Sequence, residues 1–142
     1  MKTTDDLLEL LSHADTEDAL SDYIADPAVD SHFATFADYY TSLENVRNTD
    51  NSVLISNSNI ERTYWYQIIN KTRAPGRDKV IAMCIAASLS LGETQRALEI
   101  SGTGPLYPRN RRDAIIIYSI NNGMNLDKIQ ELLSEYGEKT ID

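Results

Sequence analysis

Residues 50–70 read Asp50-Asn51-Ser52-Val53-Leu54-Ile55-Ser56-Asn57-Ser58-Asn59-Ile60-Glu61-Arg62-Thr63-Tyr64-Trp65-Tyr66-Gln67-Ile68-Ile69-Asn70. Two short apolar segments flank a polar break, Ser56-Asn57-Ser58-Asn59, that is too short for a linker. Asp50 stands where the first segment needs an N-cap. Asn59 lies in the break, and Asn is one of the few non-glycine residues that takes up the left-handed conformation at low cost. Leu54 and Ile55 precede the turn, Ile60 lies within it, and Tyr64 and Ile68 follow at spacings of four. The second segment therefore has a buried stripe and leaves Arg62, Thr63, Tyr66 and Gln67 on other faces. The pattern predicts two short helices meeting at an angle across a tight turn.

The rest of the chain keeps a helical period. Helices are expected at 4–13, at 16–26 ended by Pro27, and at about 32–46, where Phe33, Phe36, Tyr40 and Leu43 form a stripe. After the turn Asn70–Gly76, helices are expected at 78–88, 91–100, 109–122 and 126–136. Ser90 followed by Glu93 is a capping box. The expectation is an all-α fold in three parts: an acidic helical arm at 1–32, a helix-turn-helix domain at 33–100, and a helical hairpin at 101–142 packed on the same core. Ser88-Leu89-Ser90-Leu91-Gly92-Glu93 and Gly123-Met124-Asn125-Leu126-Asp127-Lys128 are loosely alike. Two helical hairpins under similar constraints look this way without duplication, so no internal repeat is expected.

Net charge over the 142 residues is −9, which taken alone argues against nucleic acid. Its distribution argues otherwise. Residues 1–58 hold twelve acids and two bases, 59–112 hold nine bases and four acids, and 113–142 hold six acids and two bases. A block of net +5 thus lies between two acidic stretches, and screening makes charges more than about 10 Å away matter little to a phosphate. The single cysteine, Cys84, sits in an apolar run and reads as a small buried hydrophobe. His13 and His32 fit no metal-ligand spacing. Gly102 and Gly104 flank Thr103 in a turn and make no phosphate loop. No catalysis, metal or cofactor is expected. No signal peptide is visible, nor a run near the roughly 18 apolar residues of a membrane span. A soluble cytoplasmic protein is expected.

The run from Asn59 to Lys79 resembles the recognition helix and following loop of XRE-like, phage-repressor-type regulators. Their pattern, roughly G-I-S-x-S-Y-x-x-x-I-x-N-G-K-R-x-P-S, is met at Ile60, Tyr64, Ile68, Asn70, Arg73 and Pro75. The tail from Pro105 to Gly137, with Leu106-Tyr107-Pro108 and Arg112-Asp113-Ala114-Ile115-Ile116, resembles the C-terminal extension of a Firmicutes-type subgroup. The core likeness covers about 33–100; residues 1–32 match nothing in it. The resemblance implies a lambda-repressor-like core with the helix at about 61–69 in the major groove of double-stranded DNA. It implies that Glu61, Arg62, Thr63, Tyr66 and Gln67 face bases, with Arg62 suited to guanine and Gln67 to adenine. Lys71, Arg73, Arg77 and Lys79 would lie near phosphates. Three residues depart from the pattern. Lys71 replaces the glycine after Asn70, so either Asn70 takes the strained conformation or the helix end differs. Ile55 replaces a small residue, and Glu61 would repel phosphate.

A sequence-specific, homodimeric transcriptional regulator is the leading expectation. The alternative is an acidic interaction module that keeps the fold, such as a phage or mobile-element inhibitor of a host nucleic-acid enzyme, or an antitoxin, engaging a protein through its N-terminal arm. Arg109, Arg111 and Arg112 are expected to flank a helix and pair with acids, Asp113 and Asp127 being available. The apolar run 114–118 is expected in the core or a dimer interface.

Overall fold

A computed structural model describes Phe33 and residues 35–142. The arm at 1–32, with its expected helices at 4–13 and 16–26, lies outside the described residues. Thr35–Asp142 forms one compact unit. Among the described residues there are eight helices and no strand, so the fold is all-α.

The helix expected at 32–46 is two. Helix α1 (Phe36–Ser42) starts at Thr35, whose hydroxyl accepts from the Asp38 N–H at 3.2 Å. Leu43 is extended (φ −75°, ψ 139°) and α2 (Glu44–Arg47) restarts after it. At the break the Ser42 hydroxyl donates to the Tyr39 carbonyl at 2.6 Å and the Thr41 hydroxyl to the Ala37 carbonyl at 2.8 Å. Helix α3 (Asn51–Ser58) begins at Asp50, which stands at the cap position without a side-chain capping bond. Asn59 then turns left-handed (φ 56°) as its residue type suggests, and the buried Ser58 hydroxyl accepts from the Ile60 N–H at 3.1 Å. Helix α4 (Arg62–Ile69) follows.

Helix α5 (Arg77–Ala86) is central to this unit, with every residue from Val80 to Ala87 buried. It takes α3 on one side and α6 (Leu91–Ser101) on another. Helix α6 starts with the expected capping box and also packs against α1. The Tyr40 hydroxyl crosses this core to the Met83 carbonyl at 2.7 Å. Helices α7 (Arg111–Asn121) and α8 (Leu126–Glu135) form the last hairpin.

The two hairpins share one plan. A shift of 35 residues carries Arg77-Asp78 onto Arg112-Asp113, and the left-handed Ser88 onto the left-handed Gly123. It carries Ser90 onto Asn125, each the N-cap of its second helix. The same shift carries Leu91, Gln95, Leu98 and Gly102 onto Leu126, Gln130, Leu133 and Gly137. In each unit the glutamine clamps an extended tail by both its amide atoms. Gln95 bonds the backbone N–H and carbonyl of Leu106 at 2.7 and 2.9 Å, and Gln130 those of Ile141 at 2.8 and 2.7 Å. The expectation of no internal repeat is therefore corrected.

The units also exchange partners. Arg77 donates to the Gly104 and Pro105 carbonyls of its own tail (3.2 and 2.7 Å) and to both oxygens of Asp113 (3.0 and 2.7 Å). Arg112 donates to the Lys139 and Thr140 carbonyls (2.8 and 3.1 Å) and to both oxygens of Asp78 (3.2 and 2.9 Å). Each aspartate further accepts the N–H that follows a clamped tail residue: Asp113 from Tyr107 at 3.0 Å, Asp78 from Asp142 at 3.1 Å. This is the reciprocity of an isologous contact, made inside one chain. It also corrects the pairing expected for the arginines: Arg112 takes Asp78, Arg111 takes Glu138 at 3.5 Å, and Asp113 belongs to Arg77.

Asp113 is 3% exposed. Burial works to raise its carboxyl, but the bonds from Arg77 and the Tyr107 N–H, with the charges of Arg77 and Arg112, outweigh burial and hold it below the usual range. A depressed acid stabilises the fold fully above its unfolded value, about pH 4, and the contribution is lost as pH falls through the folded value. Asp113→Asn should lower stability at pH 7 by about 3 kcal/mol, because it leaves Arg77 without its counter-charge. The loss should shrink below pH 4. Denaturant melts of both proteins from pH 7 to pH 2 check this; a loss independent of pH would refute it.

Candidate nucleic-acid interface

Helix α4 is seated by Ile60, Trp65 and Ile68, all buried, rather than by the expected Ile60–Tyr64–Ile68 stripe. Trp65 is 1% exposed and meets the Tyr40 ring edge-on, with centroids 5.9 Å apart. Its larger apolar area claims the inner position. Its Nε1 has no hydrogen-bond partner among the described residues, and a buried donor left so costs about 1–3 kcal/mol.

Tyr64 is displaced to the border of α4 and there gathers cations. The Arg73 guanidinium lies 4.4 Å from its ring centre and the Lys79 ammonium 5.3 Å. Arg62 lies over Tyr66 at 5.5 Å. Neither Arg62, Arg73 nor Lys79 is paired with a carboxylate among the described residues. Each ring fixes the cation above it without neutralising it, by about 0.5–1 kcal/mol at such sites.

The expected base-facing residues share one region. Glu61, Arg62 and Thr63 are exposed at the start of α4, and Tyr66 and Gln67 are half-buried further along. The Glu61 carboxylate is occupied locally, accepting from the Thr63 N–H at 3.4 Å, which makes it the N-cap of α4. Of the four residues expected near phosphates, Arg73 and Lys79 lie beside this face. Lys71 is half-exposed and bonds Asp38 of α1, whose carboxyl it holds below the usual range. Arg77 is elsewhere, with its guanidinium committed to Asp113 and two carbonyls. It is structural. Its counterpart Arg112, 35 residues on and equally engaged, is the sequence signal that could have shown this.

The departure at Lys71 resolves in a third way. Asn70 stays near the helical region (φ −82°) and Lys71 itself is left-handed (φ 64°), a conformation that favours glycine. The Thr72 and Arg73 N–H groups then both reach the Gln67 carbonyl, at 2.9 and 3.2 Å. This brings Arg73 back over Tyr64.

Little else in the described residues suggests chemistry. Burial pushes the Cys84 thiol up to about 12, so it stays protonated and unreactive. Among the described residues no group of three or more His, Cys, Asp or Glu could hold a metal ion. No described helix is long and apolar enough to cross a membrane. No family model, no curated protein and no solved structure matches the chain.

A lysine at positive φ costs about 1–2 kcal/mol that glycine does not incur, while the contact with Asp38 is exposed and weakened by solvent screening. Lys71→Gly should therefore stabilise the protein by about 0.5–1 kcal/mol in a urea melt. A measured loss of stability would show that the Asp38 contact is the stronger effect.

Proposed function

We propose that this protein reads double-stranded DNA with α4, the second helix of a lambda-repressor-like helix-turn-helix whose first helix is α3. The observation that carries the reading is the outer face of α4. It follows a left-handed Asn59 turn, is seated from behind by Trp65 and Ile68, and presents Arg62 and Thr63 outward with Arg73 and Lys79 fixed beside it. In this reading Arg62 and Gln67 meet base edges in the major groove. Arg73 and Lys79 meet phosphates, which set register and carry no sequence information. The tyrosines supply the rigidity that two long, mobile cations lack. A cytoplasmic regulator of transcription is the role such a reader fills.

Selection from a random duplex pool, followed by fluorescence anisotropy on the enriched sequence, tests it. Arg62→Ala should cost about 1–3 kcal/mol on that sequence and relax preference at one position. Arg73→Ala and Lys79→Ala should each weaken all sequences alike and lower the salt slope by about one. Failure to enrich any duplex at low salt would sink the reading and favour the protein-interaction alternative.

A further inference from the structure

The internal repeat exposes an asymmetry. Arg111, Ala114, Ile115 and Tyr118 of α7, with Leu132 of α8 and its C-cap Tyr136, line a groove of about 450 Å³. Tyr118 and Tyr136 are 56% and 53% exposed. The shift of 35 residues carries these six positions back onto Gly76, Lys79, Val80, Met83, Ala97 and Ser101. Val80, Met83 and Ala97 are fully buried, because α3 packs on α5 and α1 on α6. One face thus occurs twice in this fold. In the first hairpin helices cover it; in the second its apolar side chains stand open. Water against such a contiguous patch is unfavourable in proportion to its area, and patches of this kind mark interaction surfaces.

The charges around the groove select the occupant. Lys128, Leu132, Glu135 and Tyr136 are spaced four, three and one apart on α8, so they form one stripe with Leu132 near its centre. Lys128 and Glu135 are exposed, and the 3.5 Å contact of Lys128 with Glu131 on its own helix is itself exposed and readily exchanged. If α8 is laid antiparallel against another α8 about Leu132, Lys128 comes opposite the partner's Glu135 and the partner's Tyr136. The two-fold repeats the contact at the other end. A cation at one end, an acid and an aromatic ring at the other, and a leucine between make a surface complementary to itself. A parallel pairing would set lysine on lysine.

We propose that the α7–α8 groove is the docking site for a second copy of this chain, α8 antiparallel on α8 across a two-fold axis. This goes beyond the DNA reading and is measured apart from it. Where both hold, two α4 helices related by a two-fold would read an inverted repeat.

Sedimentation equilibrium on the full chain from about 1 to 100 μM decides it. A dimer of twice 16.0 kDa should form reversibly. Leu132→Glu should leave a monomer across that range, with helical circular dichroism unchanged. Lys128→Glu alone and Glu135→Lys alone should each weaken the dimer about tenfold, and the two together should restore it. That rescue is specific to antiparallel pairing; a stability effect would not produce it. A wild-type monomer at 100 μM, a dimer indifferent to Leu132→Glu, or a double variant no tighter than the singles would each overturn the proposal. The Leu132→Glu monomer keeps α4 intact, so its anisotropy on a single half-site tests DNA binding separately.

Discussion

The crossed Arg–Asp exchange between α5 and α7 is the constraint on which the architecture rests. A guanidinium and a carboxylate taken out of water are costly unless their bonding capacity is filled. Here it is nearly filled: Arg77 and Arg112 each meet two carbonyls and a bidentate aspartate, and each aspartate gains a backbone N–H. Those carbonyls belong to the extended tails, so the tails cannot wander from the hairpins without orphaning two charges. Residues 101–142 are for this reason part of the body that holds α5. Since α3 also packs on α5, the exchange helps fix the platform behind the turn at Asn59.

The same exchange sorts the basic residues. Net charge by segment treats all nine cations between 59 and 112 alike, yet six of them divide between two different jobs. Arg77 and Arg112 are consumed in holding the two hairpins together, and Lys71 is tied to Asp38. Arg62, Arg73 and Lys79 rest on tyrosine rings, which orient a cation and leave its charge available to an anion. Among these six, the charge left without a carboxylate partner among the described residues belongs to the second group. It is smaller and better directed than the +5 of the segment suggests.

Features set by local chemistry were legible from the sequence. The left-handed Asn59, the capping box at Ser90 and Glu93, the burial of Cys84 and the all-helical fold depend on residues a few positions apart or on simple periodicity. What escaped depends on distant partners. The stripe on α4 was assigned to Tyr64 because spacing favours it, but the inner position is held by Trp65, whose ring meets Tyr40 across the core. The break at Leu43 lay hidden in an apolar period that runs through it unbroken. The repeat was visible in part, as the likeness of residues 88–93 and 123–128. Its decisive members, Arg77-Asp78 with Arg112-Asp113 and Gln95 with Gln130, are polar and widely spaced. Their meaning appears only when each is seen holding a tail. The place of Arg77 follows from that likeness, and so does the structural role that removes it from the candidate interface.

Trp65 has a use beyond packing. It is the chain's one tryptophan, and it sits buried on the inner side of α4 beside Tyr40. An indole sealed in this way emits at shorter wavelength than one in solvent, and all of the chain's indole fluorescence comes from this ring. The protein thus carries an intrinsic optical probe whose colour and quenching by iodide report whether the proposed reading helix is seated or has lifted away.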